Sequence, residues 1–121
     1  MEGRIRFAVS QEVLPDARII KISGDFDAAS VDQANAVLSA ASSDPQRALV
    51  IDLLACSFLD SMAIAAVVGA ARPLINGQIK IAIAAGRDSE VMQILRLAGI
   101  DRTIPILPTT ELALASAIEV E

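Results

Sequence analysis

The stretch LVIDLLACSFLDSMA, residues 49–63, places an apolar run directly before an acid and a hydroxyl. A continuous apolar run of this length indicates a central strand that is buried on both faces. Met62 opens a second uncharged apolar run, which extends to Ala71 and which we interpret as a buried helix. Asp60 and Ser61 therefore stand at a strand-to-helix junction. There they could cap the helix, or form a site at which a serine is modified.

The pattern outward from this junction alternates between strands and helices. A hairpin comes first, with strands at residues 4–10 and 18–23 joined by a Pro-Asp turn. The segment GDFDAAS, residues 24–30, ends the second strand, and Ser30 is the expected N-cap of the next helix. The later elements are a helix, the central strand, a helix, a strand, a helix, an edge strand and a helix, at residues 31–41, 47–54, 61–75, 78–85, 86–99, 103–107 and 109–118.

This order predicts one α/β domain over residues 1–121. Strand–helix–strand units require right-handed crossovers and a largely parallel sheet, and the hairpin makes the sheet mixed. We predict a mixed β-sheet in the order ββαβαβαβα that helices cover mainly on one face. The residues expected in or beside its core are Leu49, Val50, Ile51, Ile79, Ile81 and Ile83.

Composition and charge restrict the class of protein. The run from Met62 to Ala71 is shorter than the roughly 20 residues that a membrane-spanning helix needs. The start, MEGRIRF, lacks the apolar core of a signal peptide, so we expect a soluble, cytoplasmic protein without membrane insertion. The net charge is −5, and no run of Lys or Arg offers a surface for phosphates. Direct binding to nucleic acid is therefore not expected.

The sequence offers little for catalysis or cofactor binding. It has no His and no Tyr, whereas a serine nucleophile normally needs a positioned base. The only lysines, Lys21 and Lys80, fall within predicted strands, which leaves a Ser–Lys dyad as a weak alternative. No glycine-rich nucleotide motif is present, and we expect no cofactor.

Two further interpretations concern metals and the single cysteine. Asp25, Asp27 and Asp52 leave a carboxylate metal site open, although aspartates in loops more often cap helices or contact water. We therefore expect no metal. Cys56 is the only cysteine, which excludes an intramolecular disulfide, and we interpret it as a buried small apolar residue.

Four motifs of this chain resemble the STAS domain, the fold of bacterial anti-sigma-factor antagonists. They are SGDFDAAS, LVIDLLACSFLDSMA, NGQIKIAIA and ILRLAGIDRTIPI, at residues 23–30, 49–63, 76–84 and 94–106. The motifs occur in the family's order and together extend over nearly the whole chain. IDLLACSFLDS is the most specific of them. The resemblance implies the STAS fold.

The resemblance also implies a function and a set of partners. In that family a partner serine kinase phosphorylates the serine directly after the motif's Asp, which here is Ser61. The unphosphorylated antagonist binds an anti-sigma factor, often that same kinase, and a sigma factor is released. A serine phosphatase restores the unmodified form. We therefore expect a regulatory binding module that acts in transcription, not an enzyme, and a monomer or weak dimer.

One departure from the family pattern leaves alternatives open. Ser or Thr and then Gly commonly follow the phosphorylated serine, and here Met62 and Ala63 stand in their place. An apolar residue after the serine is reminiscent of scaffold-type STAS proteins. The second interpretation is accordingly a scaffold subunit of a stressosome-like or membrane-transport ATPase complex. A third is a small enzyme that uses Ser61 or a carboxylate site.

The topology predicts where partners would bind. Loops that follow parallel neighbouring strands lie at the same end of a sheet. The GDFD segment, residues 24–27, and the start of the Ser61 helix should therefore lie together. We predict a partner-binding surface there, with a solvated loop end as the alternative. Its residues are Asp25, Asp27, Asp60, Met62 and Ala63, beside Ser61.

Overall fold

Strands and helices alternate along the computed structural model, which describes residues 6–43 and 47–118. The six strands of the described chain are β1 (Ala8–Val13), β2 (Ala17–Phe26), β3 (Ala48–Asp52), β4 (Cys56–Leu59), β5 (Ile81–Ala84) and β6 (Ile106–Leu107). Its four α-helices are α1 (Val31–Ser42), α2 (Ser61–Asn76), α3 (Glu90–Leu97) and α4 (Thr110–Ile118), and a 3₁₀ turn covers Ile100–Arg102.

The strands form one mixed sheet in the order β1-β2-β3-β5-β6. β1 pairs with β2 in the antiparallel sense, and the pairs β2–β3, β3–β5 and β5–β6 are parallel. The predicted α/β fold and mixed sheet are confirmed, with β3 in the sheet interior. The first strand begins later than predicted, at Ala8, and the beginning of its predicted range lies outside the described residues.

The second strand is longer than predicted because it pairs with two partners in succession. Residues 17–21 pair with β3, and residues 24–26 pair with β4, also in parallel. The predicted end of the strand at residue 23 is therefore wrong. Gly24 has a φ of 84°, and the register shifts between Gly24 and Asp25. The residue without a partner in the register is Ser57 on β4, so β2 continues uninterrupted across the shift. Its alternation carries Phe26 to the same core side as Ile20 and Ile22.

β4 is an additional strand that the predicted order lacks. It covers only four residues, and its burial pattern is one buried residue, two exposed residues and one buried residue. That pattern matches neither the alternation of a half-buried strand nor a continuous apolar run. β4 lies directly before α2, so its pairing with β2 fixes where that helix starts.

The sheet separates two apolar layers. Ile20, Ile51 and Ile83 face the side on which α1, α2 and α3 pack. The opposite side holds Val50 and Ala82 with residues of α4 alone. Helices therefore cover the sheet mainly on one face, as predicted. The predicted core is also confirmed, since five of its six residues are buried and the sixth packs against them: Leu49, Val50, Ile51, Ile81, Ile83 and Ile79.

The paired ends of β2 and β4 provide a test of the fold. Phe26 is fully buried, so we expect Phe26→Ala to lower the free energy of unfolding by about 3–5 kcal/mol, measured by urea denaturation. Phe58→Ala on the paired strand is the matched control, because Phe58 is 38% exposed and should cost clearly less. Equal losses for the two variants would contradict the burial of the second half of β2.

Candidate functional site

The candidate site lies where β2 and β4 end side by side. Phe26 and Leu59 are the last residues of the two strands and are partners in the register. The next amide on β4's side, that of Asp60, donates to the carbonyl oxygen of Phe26 over 3.3 Å. β2 leads into α1 through the loop of residues 27–30, and β4 leads directly into α2. The loop and the start of α2 therefore lie together, as the topology predicts.

Asp60 joins these two segments through both oxygens of its carboxylate. It is the N-cap of α2, with extended backbone angles, and its Oδ1 accepts a hydrogen bond of 3.0 Å from the amide of Ala63. Its Oδ2 accepts a bond of 3.1 Å from the amide of Ala28 in the β2–α1 loop. The cap was predicted from the sequence. The second bond was not, because it spans 32 positions along the chain.

Ser61 is the first residue of α2 and is exposed. Its hydroxyl makes no hydrogen bond with another residue in the described part of the chain. The alternative in which Ser61 serves as a helix cap is therefore wrong, since Asp60 performs that role. The unpaired amides and partial positive charge of a helix start stabilise a negative charge at this position.

Asp27 and Ser30 build the β2–α1 loop. Asp27 Oδ1 accepts a bond of 3.0 Å from the amide of Ala29. Ser30 Oγ accepts one of 3.0 Å from the amide of Asp27 and donates one of 2.9 Å to the carbonyl oxygen of Asp25. Ser30 occupies the N-cap position of α1 as predicted, but its side chain makes no capping bond. These bonds fix the path of the loop that carries Asp27.

The remaining predicted partner-binding residues differ in their exposure to solvent. Asp25 is half-buried on β2, opposite Phe58, behind the end of the strand. Met62 is 51% exposed beside Ser61. Ala63 is fully buried in the core on the α1–α3 side. Its side chain therefore cannot belong to a contact surface, which is a correction to the predicted set.

Cys56 lies on β4 behind this site and is buried. Its Sγ donates to the carbonyl oxygen of Phe58 over 3.3 Å. Burial disfavours the thiolate and raises the pKa of Cys56 to about 11, and the nearby charge of Asp25 acts in the same direction. The interpretation of Cys56 as a buried residue is confirmed.

No group of three His, Cys, Asp or Glu side chains within residues 6–43 and 47–118 is arranged to hold a metal ion. In the same ranges, no helix combines the length and the apolar character that crossing a membrane requires.

This mixed sheet with its four helices is the fold of solved anti-sigma-factor antagonists. The chain belongs to the STAS domain family, whose model matches residues 8–113. An anti-sigma factor antagonist from Mycobacterium paratuberculosis has the same fold, with a TM-score of 0.84 and 24% identity over 93% of this chain and 94% of that one. No curated protein matches the sequence.

Two further solved structures with this fold are both named SpoIIAA, one unphosphorylated and one phosphorylated. The anti-sigma factor antagonist SpoIIAA in its unphosphorylated form gives a TM-score of 0.66 at 20% identity, over 88% of this chain and 92% of that one. The Bacillus cell fate determinant SpoIIAA in the phosphorylated form gives a TM-score of 0.63 at 22% identity, over 90% of this chain and 96% of that one. At these identities the likeness shows the fold alone.

The two bonds of Asp60 lead to a graded prediction. Asp60→Ala removes both acceptors, and we expect a loss of about 1–2 kcal/mol in unfolding free energy with faster hydrogen exchange at the amides of Ala28 and Ala63. Asp60→Asn keeps one side-chain oxygen, so its unfolding free energy and exchange rates should fall between those of the parent and Asp60→Ala. Ser61→Ala is the matched control and should leave both measurements unchanged. Slow exchange at Ala28 in Asp60→Ala would show that the carboxylate does not hold the loop.

The buried thiol leads to a second prediction. With a pKa of about 11, Cys56 is protonated at pH 8, so a thiol reagent should label the native chain far more slowly than the urea-unfolded chain. The folded-state pKa lies above the ordinary value of 9.0, so stability should fall as pH rises from about 9 to 11. Equal labelling rates for folded and unfolded protein would contradict the burial.

Proposed function

We propose that this protein is an anti-sigma-factor antagonist, a phosphorylation-switched binding module and not an enzyme. It binds an anti-sigma factor with serine kinase activity in the bacterial cytoplasm, and the binding releases a sigma factor. The observation that carries the proposal is the position of Ser61, exposed at the first residue of α2 directly after the capping Asp60. Membership of the STAS family, and the antagonists that share the fold, support it.

The contact surface in this proposal is the acidic rim, which we define as Asp25, Asp27, Asp60, Ser61 and Met62. Four of these residues lie where β2 and β4 stop, and Asp25 lies just behind them on β2, half-buried. The rim combines carboxylates with one exposed apolar side chain. A partner that fits it presents Lys or Arg side chains around an apolar patch. Asp27 and Asp60 are held by loop hydrogen bonds, so little side-chain entropy is lost when the partner docks.

Phosphate on Ser61 switches this surface off by adding charge. A phosphoserine carries about −1.5 to −2 charges at neutral pH. In the free chain the helix start tolerates this charge. In the complex the same charge must lose water beside the carboxylates of Asp27 and Asp60, at a cost on the order of 1–3 kcal/mol. A serine phosphatase removes the phosphate and restores binding.

Met62 is the observation that favours a second candidate, a constitutive scaffold subunit. Its side chain is 51% exposed where the family commonly has a small polar residue. An apolar side chain at this position would suit a permanent interface. The two candidates predict complexes of different size and different stability toward phosphorylation. A scaffold subunit elutes in a large particle that does not dissociate on phosphorylation, whereas an antagonist forms a small complex and moves between partners.

The partner can be identified with the unmodified chain as bait in extract of the native cell. Mass spectrometry of the eluate should find a serine kinase that also binds a sigma factor. The same analysis of the endogenous protein should find a fraction phosphorylated at Ser61. Binding to a protein unrelated to sigma factors, together with no modification of Ser61 under any growth condition, would overturn the proposal.

Two substitutions at one position then test the switch. We expect Ser61→Asp to weaken binding to that partner by about tenfold to a hundredfold while its melting temperature stays near that of the parent. Ser61→Ala should bind normally and fail to respond to the kinase. Calorimetric titration measures both affinities. If Ser61→Asp binds as tightly as the parent, a charge switch does not operate here and the scaffold becomes the better account.

A further inference from the structure

An apolar groove, called here the α2–α3 groove, lies between α2 and the segment that follows α3, residues 98–104, on the sheet face that carries three helices. It has a volume of about 380 Å³ and continues along the 3₁₀ turn that follows α3. Beside it, Leu97 is 89% exposed, more than any other large apolar side chain in the described ranges. Leu97 directly precedes the lining residue Ala98, and both Ala98 and Ile75 of the lining are exposed. The apolar lining is Val68, Ala71, Ile75, Ala98, Ile100 and Ile104.

One arginine lines this groove, and two more stand within two residues of its lining along the chain. Arg72 lines the groove, Arg96 directly precedes Leu97, and Arg102 closes the 3₁₀ turn. All three side chains are exposed, and none forms an ion pair with another residue of the described chain. Asp101 is the acid in the same turn. The groove therefore fits an apolar segment that carries negative charge.

The opposite face of the sheet presents a surface with those properties. α4 packs there alone, and its outer side shows Leu112, which is 50% exposed, beside the exposed Glu111. Between Thr110 and Ile118 the helix contains no Lys or Arg. This surface is the complement of the groove in both polarity and charge.

We propose that a second copy of this chain docks the outer side of its α4 into the α2–α3 groove of the first. Leu112 of one copy packs near Leu97 of the other, and Glu111 lies among the arginines of the groove edge. The inference stands apart from the phosphorylation switch. The acidic rim lies at the ends of the strands and not on either face, so it remains accessible in the assembly.

The geometry of the two surfaces determines the form of the assembly. Groove and α4 lie on opposite faces of one sheet, so each docked copy keeps one free groove and one free α4. Such a head-to-tail contact does not close on itself as a symmetric dimer does, and it extends into a stack. The net charge of −5 on each copy opposes the association, so the stack is weak and depends on concentration.

Sedimentation velocity of the full chain over a wide concentration range tests this arrangement. The parent should show a rising average mass without a fixed end point. Leu97→Glu, which blocks the groove, and Leu112→Lys, which blocks α4, should each weaken self-association by about tenfold or more. Arg72→Glu is a second groove variant with the same expected loss. Val13→Lys is the control at another half-exposed apolar residue and should associate like the parent.

An equal mixture of the two blocked variants gives the decisive result. Each retains the surface that the other lacks, so Leu97→Glu and Leu112→Lys together should form a one-to-one dimer and nothing larger. A parent that stays monomeric at every concentration would overturn the proposal. So would association that neither variant affects, or a mixture that stays monomeric. Melting temperatures near that of the parent show that the variants fold.

Discussion

The carboxylate of Asp60 connects the start of α2 to the β2–α1 loop, and the arrangement of the site depends on that connection. One oxygen caps the helix at Ala63 and the other holds the amide of Ala28. A single side chain thereby fixes where the helix begins and where the neighbouring loop lies. Because Ser61 is the next residue, its exposed position follows from the cap and not from bonds of its own.

This connection is possible because β2 has two parallel partners in succession. β3 pairs with its first half, and β4 pairs with its last three residues, with the register shifted after Gly24 by the extra residue Ser57 on β4. The buried Phe26 and Leu59 hold the two strand ends together from inside the core. An aliphatic core thus determines the distance between two loops at the surface. Under the proposed function, a phosphate on the exposed Ser61 would add charge to the rim and leave the buried Phe26 and Leu59 untouched.

The sequence predicted the fold in those segments where the apolar pattern was long. Residues 48–52 read as a central strand because every side chain in the run is apolar except the last. β4 was not predicted because it has only four residues, and its two consecutive exposed residues, Ser57 and Phe58, break the alternation that identifies a strand. The hydrogen bond between Asp60 and Ala28 joins residues that are 32 positions apart in the chain, so no local sequence pattern indicates it.

The sequence predicted part of the site, and the one wrong residue, Ala63, could have been identified from the spacing of apolar residues. Asp60 and Ser61 stand out at a strand-to-helix junction, and the parallel order places the β2–α1 loop beside them. Ala63 was included because the motif covers it. Yet Ala63, Ala66, Val67 and Ala70 recur at helical spacing, and all four are buried. The same spacing argument applied to α2 would have placed Ala63 in the core.

We propose that charge at Ser61, presented by an intact rim, controls binding to the partner. The most direct test is to titrate the anti-sigma partner into the chain carrying phosphoserine at position 61 and into the unmodified chain, at the same ionic strength. The account predicts a loss of affinity of at least about tenfold on phosphorylation. Equal affinity for the two forms would contradict it.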